Sequence, residues 1–99
     1  MELKTENMTL TLSNADDESR AYTVRGDVRV NDGQFAEVSN GQVYTKDGGM
    51  GVAYFNAGDN NAMSTSFQSG DLTDEQRLAV FGAIQGFVAS AKTYVGSNS

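Results

Sequence analysis

The sequence predicts an α+β domain of two layers: an antiparallel meander of five or six strands, curved around one C-terminal α-helix. Three observations predict it. Residues 20–30 alternate apolar and polar with a period of two, three Gly-containing turn signals follow in close succession, and beyond residue 73 the apolar period becomes that of a helix. Consecutive hairpins leave no room for the crossovers that a parallel sheet requires. Ninety-nine residues suffice for one modest core. Residues 1–99 therefore read as a single domain, with the sheet over about 3–69, the helix over about 74–95 and a frayed tail at 96–99.

Taken in chain order, Met8, Leu10 and Leu12 alternate with Thr9 and Thr11, the pattern of a strand with one buried face. A polar loop, SNADDES, follows. The strand over residues 20–30 puts Tyr22, Val24, Gly26, Val28 and Val30 on one face and Ala21, Thr23, Arg25, Asp27 and Arg29 on the other. The turn signals are Asn31-Asp32-Gly33, Asn40-Gly41 and Asp47-Gly48. A three-residue loop at the first pairs Val28 with Ala36 and Gly26 with Val38. Two-residue turns at the others pair Val38 with Val43, Val43 with Val52 and Thr45 with Met50. These registers agree on one core face and send Phe35, Tyr44 and Phe55 outward. After Tyr54 the run NAGDNN reads as a loop, and 62–69 as a weaker strand with Met63, Thr65 and Phe67 inward.

Thr73 and Gln76 form the signature of a capping box, Asp74 and Glu75 lie where the helix dipole favours negative charge, and Lys92 lies near the other end. Val80, Ala83, Ile84, Phe87, Val88, Ala91, Tyr94 and Val95 make a broad apolar stripe that meets the sheet. The opposite face carries Leu78, Ala79, Gly82, Gly86, Ala89 and Thr93 rather than charged residues. Each glycine inside a helix costs about 1 kcal/mol relative to alanine, so a compensating close approach is expected. Three coverings compete: the chain's own N-terminal segment or the rim of the sheet, a second copy crossing at Gly82 and Gly86, or none. The Gly-x-x-x-Gly spacing has its strongest meaning in membranes and is a weak signal in a soluble chain.

Thirteen acidic and seven basic residues give a net charge of −6, which argues against nucleic acid as a partner. The chain has no His and no Cys, which removes the usual neutral-pH base, the thiol nucleophile and most transition-metal sites. Asp27 and Glu37, opposite each other in the predicted register, are the only candidates for paired-carboxylate chemistry, and the neighbouring Arg25, Arg29 and Lys46 argue for a solvated mixed-charge face instead. Neither GDNNAMS nor NADDES has calcium-loop spacing. No catalytic, cofactor-binding or metal-ligating residue is assigned, and no cofactor is expected.

The N-terminus lacks the apolar run of a signal peptide, and no stretch of about eighteen consecutive apolar residues occurs, so a cytoplasmic chain without a membrane partner is expected. The leading expectation is a small acidic non-enzymatic binding or assembly protein, a homodimer or a binder of another protein. It would act through the small helix face, with Ala79, Gly82 and Gly86, or the outer sheet face, with Phe35, Tyr44, Arg25 and Arg29. The alternatives are a small-ligand-binding domain with an apolar cavity lined by Tyr22, Met50, Tyr54 and Met63, and an acidic inhibitor that mimics nucleic acid.

Overall fold

The computed structural model describes every residue except Glu2, Lys4, Thr5, Gly48, Asp59, Asn60, Asn61, Ser69, Asp71, Asn98 and Ser99. Its elements are β1 (Asn7–Ser13), β2 (Tyr22–Asn31), β3 (Gln34–Thr45), β4 (Gly51–Gly58), β5 (Met63–Phe67) and α1 (Asp74–Ser97). Each strand pairs antiparallel with the next, so the sheet is a five-stranded meander with β1 and β5 at its edges. The two-layer α+β arrangement is the one the sequence patterns specify.

Alternation in β2 places Val24, Val28 and Val30 on the inner face, where they meet Val38 and Val43 of β3 and Val52, Ala53, Phe55 and Ala57 of β4. Val80, Ile84, Phe87, Ala91 and Val95, spaced three or four apart, close this core from α1. Phe87 meets Phe55 edge to face at 6.0 Å, and Phe81 meets Phe67 in the same way at 5.5 Å. The helix starts as its capping signature requires. The Gln76 backbone N–H donates to Thr73 Oγ1 at 3.1 Å, and the Thr73 N–H donates to Gln76 Oε1 at 2.9 Å.

The hairpin registers need correction in three places. Asn31 pairs with Gln34, so the first turn has two central residues, Asp32 and Gly33, with φ of 52° and 79°, the type I′ geometry. A shift between Arg29 and Val30 then skips Ala36, so Val28 pairs with Val38 rather than with Ala36 and Phe35 turns to the inner face opposite Val30. A two-residue turn plus one bulged residue has the same parity as the three-residue loop, which is why Val38 still points inward.

Asn40-Gly41 is not a turn. β3 runs straight through it, and both flanking ladders shift there: Arg25 pairs with Gln42 but Asp27 with Ser39, and Gly41 with Phe55 but Val38 with Ala57. Asn40 is the extra residue of a bulge at φ 52°, a conformation Asn tolerates better than most side chains. Gly41 makes room for its neighbour, because a Cβ there would lie 2.5 Å from the Phe55 ring. A further shift pairs Val43 with Ala53, not with Val52, while Tyr44 pairs with Gly51. Val52 and Ala53 are consequently both buried, and Phe55, expected outside, is 2% exposed. β4 also continues through Gly58, past the point where the sequence suggests a loop, and Asp59, Asn60 and Asn61 lie outside the described residues. The helix extends two residues beyond its expected end, so Gly96 and Ser97 are helical rather than a frayed tail.

Candidate functional site

Three surfaces remain once the core is closed. The first is the outer face of α1. Its Gly82 and Gly86 are exposed, and apart from the adjacent residues and the helix's own backbone no described atom lies within 4 Å of where a Cβ would stand on either. Coverage of these glycines by the chain's own N-terminal segment or sheet rim is therefore not what the described residues form. Leu78 is 70% exposed, and Tyr94, expected to face the sheet, is 48% exposed. Ala79 and Ala89 lie exposed on the same side, and no residue between Arg77 and Lys92 is charged.

The second surface is a groove of about 510 Å³ between one flank of α1 and the β1–β2 end of the sheet. Ala79, Ala83, Gly86 and Tyr94 line it from the helix, and Leu12 and Tyr22 from the strands. Its polar end is bonded within the chain. Arg20 Nη1 donates to the Asp17 carbonyl at 2.9 Å, Nη2 to the Lys46 carbonyl at 3.0 Å and Nε to Thr23 Oγ1 at 2.9 Å. Asn14 bridges the Tyr22 carbonyl and the Val24 N–H. Hydrogen bonds from the Ser19 hydroxyl and N–H hold the Asp17 carboxyl below its ordinary range. This groove is not the cavity expected from the sequence: Met50, Tyr54 and Met63 are 68%, 50% and 36% exposed, and Tyr22 alone of that set lines it.

The third surface is the outer sheet face. Arg29 pairs with Glu37, Nη2 to Oε1 at 3.0 Å, directly across β2 and β3. Asp27 sits opposite Ser39 rather than opposite Glu37, so the facing carboxylates suggested by the sequence are not formed. The Asp27 carboxylate instead accepts from Asn40 Nδ2 at 3.2 Å and Thr11 Oγ1 at 2.9 Å. Tyr44 does lie on this face, its hydroxyl bonded to Gln42, and Gln42 stands between Arg25 and Tyr54 in the ladders. Phe35 does not: it packs against the core on the helix side, with Lys92 Nζ 5.5 Å from its ring centroid. Phe55 is absent from the outer face for the reason given above, and the bulge puts Tyr54 there instead. The residues singled out for binding thus divide among separate surfaces: Ala79, Gly82 and Gly86 on α1, Arg25, Arg29 and Tyr44 on the outer sheet, and Phe35 with the core.

Hydrogen bonds from Asn40 and then Thr11 hold the Asp27 carboxyl below its ordinary value. A depressed folded pKa contributes stability above the unfolded pKa and loses it as pH falls through the folded one. Asn40→Gly keeps the left-handed backbone but removes the amide donor. The Asp27 titration midpoint, followed by carboxyl ¹³C NMR, should therefore rise; an unchanged midpoint would mean that Asn40 does not hold the carboxylate.

Among the described residues no group of three acidic side chains gathers as a metal cluster. Comparison of the chain with protein-family models, with curated proteins and with solved structures finds no match.

Proposed function

We propose that this chain is a small acidic non-enzymatic assembly module that self-associates through the outer face of α1. The observation that carries this reading is the helix itself: Val80, Ile84, Phe87, Ala91 and Val95 are buried against the sheet, while the uncharged opposite face with Leu78, Ala79, Gly82 and Gly86 lies open. An uncharged surface with open glycines allows a second backbone to come close, and a second copy brings the same neutral patch about a two-fold axis. The stretch from Leu78 to Ala91 is also neutral in a chain of net charge −6, so two copies can meet there with little repulsion.

By length and composition α1 is apolar enough to cross a membrane. We favour an aqueous, cytoplasmic location, because Val80 and Ile84 are fully buried against the sheet and insertion would strip the domain of its core.

Light scattering coupled to size-exclusion chromatography should give a mass above that of a single chain. Gly86→Leu should remove the helix-face contact and lower that mass while the chain stays folded, since a side chain at a helix crossing forces the backbones apart. Gly86→Ala separates the possibilities by sign. On a free surface it raises helix propensity by up to about 1 kcal/mol and should raise the melting temperature. At a tight crossing it should weaken the dimer. A monomeric wild type together with a higher-melting Gly86→Ala would refute the helix-face assembly.

The groove supports a second reading, a small apolar ligand, because about 510 Å³ falls within the usual range for ligand pockets. Ala83→Trp, which fills it from the helix side, should abolish binding of an apolar fluorescent probe, and unchanged binding would dismiss the groove as the site.

A further inference from the structure

We propose that β1 is a pairing edge for a second copy of this chain, joined antiparallel about Leu10. The surface is independent of the α1 face, and the geometry of the β1 backbone carries it. The Asn14 N–H donates to the Val24 carbonyl and the Asp32 N–H to the Glu6 carbonyl, so the even-numbered residues of this segment bond toward β2. Asn7, Thr9, Thr11 and Ser13 consequently direct their N–H and C=O groups away from the sheet.

Such an edge is ordinarily blunted by lysine, proline, a bulge or an inward charge. β1 has no charged residue and no proline, and its pairing with β2 runs from Asn7 to Ser13 without a shift. The opposite edge differs. β5 is shorter, Phe81 covers its Phe67, and the Arg77 guanidinium lies 5.8 Å from the Phe67 ring centroid, so a charge stands over that end of the strand. α1 lies mainly on β3 and β2 and leaves β1 aside. Met8 is 40% exposed, and Leu10 and Leu12 are only half-buried on the inner side.

The strand is self-complementary. With Leu10 on the two-fold axis, Leu10 meets Leu10 of the second copy and Met8 meets its Leu12, extending the apolar inner layer across the junction. Thr9 meets Thr11 of the second copy in a hydrogen-bonded pair, and Asn7 meets its Ser13, so every outward backbone group of the strand finds a partner. Repulsion is small at this place, because seven consecutive uncharged residues face one another in a chain of net charge −6. The two sheets become one, and both helices lie on the same side.

The register makes a sharp test possible, because the chain contains no cysteine of its own. Residues on the axis form a non-hydrogen-bonded pair with Cα atoms about 4.5 Å apart, within reach of a disulfide. Leu10→Cys should form a covalent dimer on mild oxidation. Leu12→Cys, which faces Met8 of the second copy, should form little, and a mixture of Met8→Cys and Leu12→Cys chains should cross-link. Thr9→Pro removes an outward N–H while leaving the bonds to β2 intact, and should lower the mass of the assembly by the loss of this junction. Equal cross-linking of Leu10→Cys and Leu12→Cys, or an unchanged mass for folded Thr9→Pro, would overturn the proposal. Should Thr9→Pro fail to fold, the cysteine contrast decides alone. Gly86→Leu should leave the Leu10→Cys cross-link in place, so loss of the helix-face contact and loss of the β1 junction are read separately.

Discussion

Val38→Asp should abolish cooperative folding near neutral pH or lower the melting temperature by tens of degrees. Val38 is 1% exposed and sits at the centre of the sheet, paired with Val28 on one side and Ala57 on the other. Among its neighbours, Gly26 lies so close that a Cβ there would stand 2.6 Å from Val38 Cγ1. A carboxylate in that place finds apolar side chains and backbone groups already paired in the ladders. Burying an unpaired charge commonly costs about 4–5 kcal/mol, a large share of the roughly 5–15 kcal/mol available to a small domain. At roughly 4–8 °C per kcal/mol for a domain of this size, the shift is far outside experimental error. Lowering the pH should recover part of the loss as the carboxyl becomes neutral. Glu37→Thr, one residue away on the opposite face, removes only an ion pair whose side chains are 56% and 41% exposed, a contact worth about 0–1 kcal/mol. Comparable losses in both variants would mean that β3 does not present Val38 inward.

The contrast between these neighbours is legible in the sequence because it depends only on parity. Alternation in Tyr22–Asn31 assigns the inner face of β2, and the apolar stripe of α1 assigns its partner. Both signals are periodic and local, as are the Thr73–Gln76 cap and the acidic first turn. The bulges are neither. Asn40-Gly41 has the composition of a hairpin turn because both roles require a residue at positive φ beside one without a side chain. What decides between turn and bulge is a tertiary contact, the ring of Phe55 lying over Gly41, and no local pattern contains it. Two further bulges that no local pattern marks, at Ala36 and at Val52, place Phe35 and Phe55 on the inner face where unbroken hairpins would turn them outward, while Val38 points inward either way. The candidate surfaces fared likewise: the small residues on the outer face of α1 are read from its own sequence, but whether they lie open, and the groove beside them, depend on where the sheet and the β1–β2 loop settle against the helix.

Phe55→Ala should cost about 3–5 kcal/mol, the usual loss for emptying a buried aromatic site, while Tyr54→Ala should be nearly silent. Phe55 is 2% exposed and packs edge to face on Phe87, whereas Tyr54 is 50% exposed on the outer sheet face. Uninterrupted hairpins would exchange the two, so the order of the losses, measured by urea denaturation, reads the bulges directly. Gly41 extends the test. An alanine there would place its Cβ 2.5 Å from the Phe55 ring, and overpacking of this kind commonly costs about 1–3 kcal/mol. With Phe55 already truncated to alanine the clash disappears, and the added methyl group fills part of the vacated space. Gly41→Ala should therefore destabilise the wild type but leave the Phe55→Ala background unchanged or slightly improved. The double-mutant coupling should be about as large as the single Gly41→Ala effect. Additive losses would mean that Gly41 is glycine for its backbone conformation alone, and that β3 and β4 do not meet through this ring.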